Sequence, residues 1–178
     1  ISFIAFPIYM IAVLFLKLSS SGPIFISQER VGENNKTFHL IKFRSWLFDD
    51  HGDQELHKKN SITPVGMVLR KTRIDELPQL INVFRGELSF IGPRPEVPKL
   101  IEVYEKELPY YKTRHLIKPG LSGWAQINDY DVPRGAPDVN KTKRKLSYDL
   151  YYLKRRSLLL DLKIVLKTLK TLLSRSGA

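Results

Sequence analysis

An adjacent pair of carboxylates, Asp75 and Glu76, is the feature of this sequence most suited to chemistry. The basic residues Arg70, Lys71 and Arg73 stand just upstream. A carboxylate is ordinarily ionised at neutral pH, and beside bound cations it can act as a nucleophile. Such a pair can also simply cap a helix, because Asp is common at N-terminal caps. From these residues alone, the cap is the favoured interpretation.

We predict that the pair lies at the start of a short helix. One apolar face of this helix is formed by residues spaced i, i+3, i+4 and i+7, namely Leu77, Leu80, Ile81 and Phe84. Pro78 is tolerated in a first turn, whose N–H groups have no intrahelical partner. Gly86 suits the far end, where a left-handed residue is common. The helix dipole then favours negative charge at the pair.

Charge and composition narrow the class of partner. The chain has 178 residues, with 29 Lys and Arg against 18 Asp and Glu, for a net charge of +11. This length suits one domain with a sizeable core. The basic excess indicates an anionic partner: nucleic acid, anionic lipid or a phosphorylated substrate. The absence of cysteine excludes a disulfide framework and a thiolate metal site.

Residues 1–16 form an almost wholly apolar run, which Lys17 ends. It is shorter than the roughly 20 residues of a spanning helix, and Pro7 favours a kink within it. Three interpretations are open: a spanning helix whose start is missing, a helix that bends at Pro7 and re-enters the same leaflet, and a buried core helix. Uniform apolarity favours membrane insertion. We therefore predict an N-terminally truncated, membrane-inserted helix over residues 1–18, followed by a second domain over residues 19–178.

The remaining pattern predicts a mainly helical α+β fold. Two short strands over residues 24–31 and 37–43 flank a run of turn formers, which indicates a β-hairpin. A brief strand is predicted over residues 86–91, and helices over 96–108, 141–152 and 157–173. The last helix has leucines on one side and Lys163, Lys167 and Lys170 on or beside the other. This suits an amphipathic helix in a membrane interface, and equally a surface helix with a buried apolar side and a solvated basic side.

Residues 92–95, Gly-Pro-Arg-Pro, hold a candidate phosphate ligand. The two prolines fix φ on either side of Arg94 and stiffen its backbone. A guanidinium held in this way loses less entropy when it binds a phosphate through two hydrogen bonds. A structural turn with an exposed arginine explains the pattern equally well.

Seven segments occur in a recognisable order: 28–32 (Gln-Glu-Arg-Val-Gly), 42–45 (Lys-Phe-Arg-Ser), 70–80, 92–95, 118–126 (Lys-Pro-Gly-Leu-Ser-Gly-Trp-Ala-Gln), 148–152 (Tyr-Asp-Leu-Tyr-Tyr) and 160–163 (Leu-Asp-Leu-Lys). Together they resemble the bacterial sugar transferases, which are monotopic phosphoglycosyl transferases. The resemblance covers residues 21–173. Its C-terminal half is most similar to catalytic domains of the exopolysaccharide polyprenyl glycosylphosphotransferase branch.

The resemblance implies that residues 19–178 are a catalytic domain on the cytoplasmic face of the bacterial inner membrane. It implies transfer of a sugar-1-phosphate from a UDP-sugar to polyprenyl (undecaprenyl) phosphate with release of UMP, the first membrane step of exopolysaccharide, capsule or glycoconjugate assembly. Asp75 is implied as the nucleophile that forms a covalent phospho-sugar, and Glu76 as its partner in proton handling or positioning. Mg²⁺, held in part by Asp75, is the implied cofactor. Substrate-binding roles are implied for Lys42, Arg70, Arg94, Arg134, Asp149 and Asp161.

The implied partners are the UDP-sugar, polyprenyl phosphate and membrane lipid, with no nucleic acid and the oligomeric state left open. Two positions depart from the family pattern. Phe6-Pro7 stands where members with a re-entrant helix often have Ser-Pro, and Trp46 replaces the Met usual after residues 42–45, which we interpret as a packing change.

Two other functions compete with this one: a basic nucleic-acid-binding domain and a membrane scaffold without catalysis. The first requires exposed basic residues interleaved with aromatic ones, whereas the basic residues here cluster beside the acidic pair and the apolar segment. The second conflicts with the presence of Asp75, Glu76 and Arg94.

Overall fold

The computed structural model describes residues 2–19, 21–46, 62–129 and 138–173. Its helices are α1 (Ser2–Ser19), α2 (Pro64–Lys71), α3 (Gln79–Phe84), α4 (Pro98–Glu107), α5 (Trp124–Asn128), α6 (Val139–Arg155) and α7 (Leu158–Leu173). Its strands are β1 (Phe25–Val31), β2 (Thr37–Phe43), β3 (Ser89–Ile91) and β4 (Gly120–Ser122). Short 3₁₀ turns cover Glu33–Asn35, Ile74–Glu76 and Tyr111–Leu116. The prediction of a mainly helical α+β fold with a short antiparallel hairpin is confirmed.

The chain forms two compact units. The first comprises Ile1–Ser27, Ile41–Leu80 and Thr171–Ala178, and the second comprises Gln28–Leu40 and Ile81–Lys170. The domain boundary after residue 18 stays a prediction.

Helix α1 has one buried stripe, although its sequence is apolar all round. Ala12 and Leu16, one turn apart, pack with Phe43 and Leu69 in the core of the first unit. Other large apolar side chains of α1 are exposed, namely Ile8, Met10, Ile11, Leu14, Phe15 and Leu18. Among the described residues, no helix combines the length and the apolar character needed to cross a bilayer. The helix passes through Pro7, and membrane insertion with a bend at this proline stays a prediction.

Helix α2 begins at a well-formed cap and lies very close to the end of β2. The Thr63 hydroxyl accepts a hydrogen bond of 2.9 Å from the Gly66 N–H, and Pro64 occupies the first turn. These are favoured residues for a cap and a first helical position. A Cβ atom on Gly66 would lie 2.6 Å from the carbonyl carbon of Ser45. The helix can therefore approach Ser45 this closely only with glycine at position 66.

The hairpin of β1 and β2 turns through two asparagines. Asn34 and Asn35 have φ values of 54° and 59°, a left-handed conformation that asparagine tolerates better than most residues. The Asn35 amide oxygen lies 2.7 Å from Nδ1 of His115. Burial and the nearby charge of Arg114 lower the pKa of His115 to about 4, so the ring is neutral at pH 7. Because the amide oxygen only accepts, Nδ1 carries the proton and donates it.

The core of the second unit is formed by one side of α4 and the elements around it. Ile101 and Tyr104 of α4 are buried together with Val31, Tyr111 and Leu146. Strands β3 and β4 pair in parallel, with Ser89 opposite Gly120 and Ile91 opposite Ser122. The predicted strand over residues 86–91 is thus shorter than expected. Neither β4 nor α5 was predicted, because such short elements show no clear periodicity.

Helix α7 packs against α5 and α6 of the second unit through its polar side. Asp161 accepts a hydrogen bond of 2.7 Å from the Tyr152 hydroxyl, and the Lys167 ammonium donates one of 2.9 Å to the Asn128 amide oxygen. The Lys163 ammonium lies 5.4 Å from the centre of the Trp124 ring. The opposite side of the helix is exposed and apolar, formed by Leu158, Leu159, Leu162, Val165, Leu166 and Leu169. The alternative of a buried apolar side with a solvated basic side is therefore wrong.

Candidate active site

The acidic pair lies on the 3₁₀ turn Ile74–Glu76, between α2 and α3. Arg73, at a left-handed φ of 56°, precedes this turn. The Leu77 N–H donates to the Ile74 carbonyl at 3.0 Å. The prediction that a helix starts at the pair is wrong, because α3 begins at Gln79. Pro78 explains the difference, since it has no N–H to make the bond to the Ile74 carbonyl that an α-helix requires.

The predicted apolar face of α3 is only partly buried. Phe84 is 81% exposed, and Ile81 also lies at the surface. Asn82 is fully buried instead, and its amide donates to the His39 carbonyl and to a Glu87 carboxylate oxygen, each at 2.7 Å. Gly86 has a φ of +75°, which confirms the left-handed residue expected after the helix.

Apolar residues on either side hold the acidic turn in place. Ile74 and Leu77 pack against the core cluster of the first unit. Side chains three residues apart in a 3₁₀ turn point in the same direction. The side chains between them, Asp75 and Glu76, are therefore directed away from that core, and both residues are half-buried. The two adjacent carboxylates thus lie on a turn that is anchored to the core of the first unit by Ile74 and Leu77.

Glu76 lies between two cations. The Lys42 ammonium is 3.4 Å from one carboxylate oxygen, and an Arg73 guanidinium nitrogen is 4.0 Å from the other. The Lys42 and Glu76 side chains are only 13% and 18% exposed, so solvent screens this pair less than a surface ion pair. The fold therefore brings Lys42 to the acidic pair. Its substrate-binding role stays a prediction.

Arg70, on α2, contacts an aromatic ring in the same unit. Its guanidinium carbon lies 5.2 Å from the centre of the Trp46 ring, within the range of a cation–π interaction. Trp46 also pairs with Ile62 in an isolated antiparallel bridge. Besides filling space, Trp46 thus orients a residue for which substrate binding is predicted.

The carboxylates of this turn are suitable ligands for Mg²⁺. Mg²⁺ is usually held by one or two protein carboxylates together with substrate phosphates and water, rather than by a cage of protein ligands. Within the described part of the chain, no cluster of three or more His, Cys, Asp or Glu side chains is arranged to hold a metal ion. Asp75, on its outward-facing turn, would hold the ion jointly with the phosphates of a bound substrate.

Other predicted site residues lie in the second unit, where a buried arginine links two of them. Arg114 donates through Nε to a carboxylate oxygen of Asp149 at 2.9 Å, and through Nη2 to the Arg94 carbonyl at 2.9 Å. Asp149 is 2% exposed, and Asp161 joins α6 to α7 through the Tyr152 hydroxyl. Both aspartates thus have partners within the fold, and their substrate-binding roles stay predictions. Arg134 lies outside the described residues.

Arg114 is a site residue that the sequence analysis did not identify, although the spacing of residues on α6 indicates that such a cation is needed. Leu146, Asp149 and Tyr152 are spaced i, i+3 and i+6 on α6, and all three are buried. An aspartate on the buried face of a helix requires a cation or several hydrogen-bond donors, because an unpaired buried charge is very costly. The spacing therefore indicated a cation opposite Asp149, but not which residue supplies it.

Comparison with known proteins agrees with these features. A family model described as bacterial sugar transferase matches residues 1–175. The chain is 43% identical over 175 residues to a UDP-N-acetylgalactosamine-undecaprenyl-phosphate N-acetylgalactosaminephosphotransferase of Aeromonas hydrophila, covering 97% of this chain and 40% of the relative. It is 39% identical over 177 residues to a UDP-glucose:undecaprenyl-phosphate glucose-1-phosphate transferase of Xanthomonas campestris pv. campestris, covering 97% of this chain and 36% of the relative.

A shorter relative is matched over most of its length. The exopolysaccharide production protein PSS of Rhizobium leguminosarum bv. phaseoli is 36% identical over 176 residues, covering 95% of this chain and 87% of the relative. The chain thus spans less than half of the Aeromonas and Xanthomonas relatives, but most of the Rhizobium protein. With a match over almost its whole length, this chain belongs to the bacterial sugar transferase family.

Proposed function

We propose that this protein transfers a sugar-1-phosphate from a UDP-sugar to undecaprenyl phosphate and releases UMP. The observation that carries the proposal is the acidic turn: two adjacent half-buried carboxylates with Lys42 and Arg73 beside Glu76, in a member of the bacterial sugar transferase family. The names of the Aeromonas and Xanthomonas relatives specify a UDP-sugar and undecaprenyl phosphate. The two names specify different sugars, so we propose a UDP-sugar as the donor without assigning the sugar.

Asp75 is the proposed nucleophile. One of its carboxylate oxygens attacks the phosphorus that bears the sugar, the bond from that phosphorus to the UMP oxygen breaks, and UMP leaves. A phosphate oxygen of undecaprenyl phosphate then attacks the same phosphorus and displaces the carboxylate. The products are UMP and undecaprenyl-diphosphate-sugar, and Asp75 is regenerated.

Charge neutralisation is the main requirement for this reaction. A carboxylate is repelled by a diphosphate, and phosphoryl transfer depends chiefly on positioning and on stabilisation of charge. Mg²⁺, when bound through Asp75, supplies part of that stabilisation. Lys42, Arg70 and Arg94 are the proposed protein ligands of the diphosphate. The contact between Lys42 and Glu76 favours a positioning role for Glu76 over proton handling, because it directs that carboxylate towards a cation.

The proposed reaction is tested by incubating the protein with a radiolabelled UDP-sugar, undecaprenyl phosphate and Mg²⁺. We expect a labelled lipid product and UMP in equal amounts, with no lipid product when undecaprenyl phosphate is omitted. A shift of DNA or RNA in a gel at moderate salt, without any UMP release, would instead support the nucleic-acid-binding alternative.

We further propose that α7 lies in the membrane interface, on the cytoplasmic face of the bacterial inner membrane. Its exposed side carries a row of leucines, whereas Lys163, Ile164 and Lys167 lie on the side that faces the rest of the second unit. An apolar helix side of this kind binds at the boundary between lipid head groups and acyl chains. The net charge of +11 favours an anionic surface, and the proposed acceptor is itself a lipid.

Single-cysteine labelling tests this placement cleanly, because the chain has no native cysteine. We expect a nitroxide at Leu166→Cys, in vesicles containing anionic lipid, to be relaxed more by oxygen than by a water-soluble nickel chelate, since oxygen concentrates in the acyl region. The matched control is Ser147→Cys, at an exposed position of α6, where the nickel chelate should dominate. Equal, nickel-dominated relaxation at both positions would contradict an interfacial α7.

A further inference from the structure

Four consecutive carbonyls, those of residues 93–96, accept hydrogen bonds from elsewhere in the second unit. The bonds are Gly120 N–H to Pro93 at 2.9 Å, Arg114 Nη2 to Arg94 at 2.9 Å, Arg30 Nη1 to Pro95 at 3.3 Å and Val31 N–H to Glu96 at 3.0 Å. The donors lie on β4, on the 3₁₀ turn Tyr111–Leu116 and on β1. The segment that carries Arg94 is thus fixed from several sides without being part of a helix or strand.

The hydrogen bond from Arg114 to the Arg94 carbonyl constrains the ψ angle of Arg94, which the two flanking prolines do not fully fix. Proline fixes its own φ, and Pro95 confines the residue before it to extended conformations. Within that range, the ψ angle of Arg94 is set by the direction of its carbonyl. Arg114 holds this carbonyl, and ψ of Arg94 in turn sets the orientation of the Arg94 side chain relative to Pro95 and the chain beyond it.

Arg114 is itself held rigidly. Its Nε and Nη2 atoms lie 2.9 Å from the same carboxylate oxygen of Asp149. Its Nη1 donates to the Tyr111 hydroxyl at 3.1 Å, and its guanidinium carbon lies 5.2 Å from the centre of the Tyr111 ring. Arg114 is 6% exposed and Asp149 is 2% exposed. Because a buried ion pair adds little net stability, the main effect of this arrangement is on orientation.

We propose that Arg114, fixed by Asp149, is a positioning residue that sets the direction of the Arg94 side chain. The inference rests on the proposed function, in which Arg94 binds the diphosphate of the donor. Arg114 acts only through the Arg94 backbone and does not touch the substrate. Lysine cannot replace it, because a single ammonium lacks the planar fork that reaches the carboxylate, the hydroxyl and the carbonyl together.

A double-mutant cycle between Arg114 and Arg94 tests this inference. In a UDP-sugar transferase assay, we expect Arg94→Ala to lower kcat/KM by about 100-fold, and Arg114→Lys to lower it by about 10-fold in the parent, through displacement of Arg94. In the Arg94→Ala background, Arg114→Lys should change kcat/KM by less than about two-fold, because residues that act through one another are not additive. The same 10-fold loss in both backgrounds would overturn the positioning role.

The cycle also separates this inference from the proposed function. If Arg94→Ala leaves kcat/KM unchanged, the proposed binding of the diphosphate by Arg94 is wrong, and the positioning role is overturned with it. If Arg94→Ala is strongly impaired but the Arg114→Lys effect is additive, the proposed function stands and only the inference is overturned.

If Arg114→Lys does not fold, a variant that perturbs Arg114 less can still test the positioning role. Tyr111→Phe removes one hydrogen bond from the guanidinium and retains the aromatic ring. We expect kcat/KM to fall by about three-fold in the parent and not to fall further in the Arg94→Ala background, while the lost buried hydrogen bond lowers the unfolding free energy by about 1 to 2 kcal/mol in both backgrounds. A fall of equal size in both backgrounds would contradict the positioning role.

Discussion

Asp75→Asn should abolish sugar-phosphate transfer, lowering kcat by about a thousand-fold or more. Asparagine keeps the shape of the side chain but removes the charged oxygen that attacks phosphorus. The position is half-buried on a surface turn, so the unfolding free energy should change by less than about 1 kcal/mol. UMP release from the UDP-sugar is the measurement, with thermal unfolding followed in parallel to show that the variant is folded.

Glu76→Gln is the matched comparison, because it neutralises the neighbouring carboxylate without changing its size. It weakens the contacts of Glu76 with Lys42 and Arg73, and we expect a loss of about 10- to 100-fold in kcat. If Glu76→Gln abolished UMP release while Asp75→Asn retained it, the roles assigned to the two carboxylates would be reversed.

Gly66→Ala is expected to destabilise the protein by about 3 kcal/mol, the largest loss of stability that we predict. The added methyl group would lie 2.6 Å from the carbonyl carbon and 2.7 Å from the Cα of Ser45. These are backbone atoms, which cannot move aside as the end of a flexible side chain can. Urea denaturation should show a lower midpoint with an unchanged slope.

Gly86→Ala is the control for this prediction. Gly86 has a left-handed φ of +75°, but the nearest atom to an added Cβ is the Lys118 ammonium at 3.7 Å. The substitution therefore costs only the strain of placing alanine in a left-handed conformation, about 1 kcal/mol. Equal losses of stability at positions 66 and 86 would show that α2 can shift away from Ser45.

Elements with a long periodic pattern were predictable from the sequence. The hairpin, α4, α6 and α7 were each placed within a few residues of their observed bounds, because alternating or helical spacing extends over many positions. Strands β3 and β4 have three residues each, which is too short for a period to be visible. Their pairing depends on the close approach of Gly92 and Gly120, which is a tertiary contact.

The residues of the candidate site were easier to find than their geometry. The ordered motifs pointed to Asp75, Glu76 and Lys42, and the fold brings Lys42 to the acidic pair. The 3₁₀ turn itself was not predicted, because it follows a left-handed Arg73, and no local pattern marks a non-glycine residue for positive φ. Arg114 was not found either, since its partner Asp149 is distant in sequence.

A covalent phospho-sugar on Asp75 is the most direct point to test. The protein is mixed with a UDP-sugar and Mg²⁺ without undecaprenyl phosphate, quenched in acid and digested with trypsin. Cleavage after Arg73 and Arg85 releases residues 74–85, which contain both carboxylates. We predict that this peptide gains the mass of one sugar phosphate, located on Asp75 by fragmentation, and that the gain disappears when undecaprenyl phosphate is added before the quench. Lipid product formed by a protein whose peptide never carries that mass would contradict a covalent intermediate on Asp75.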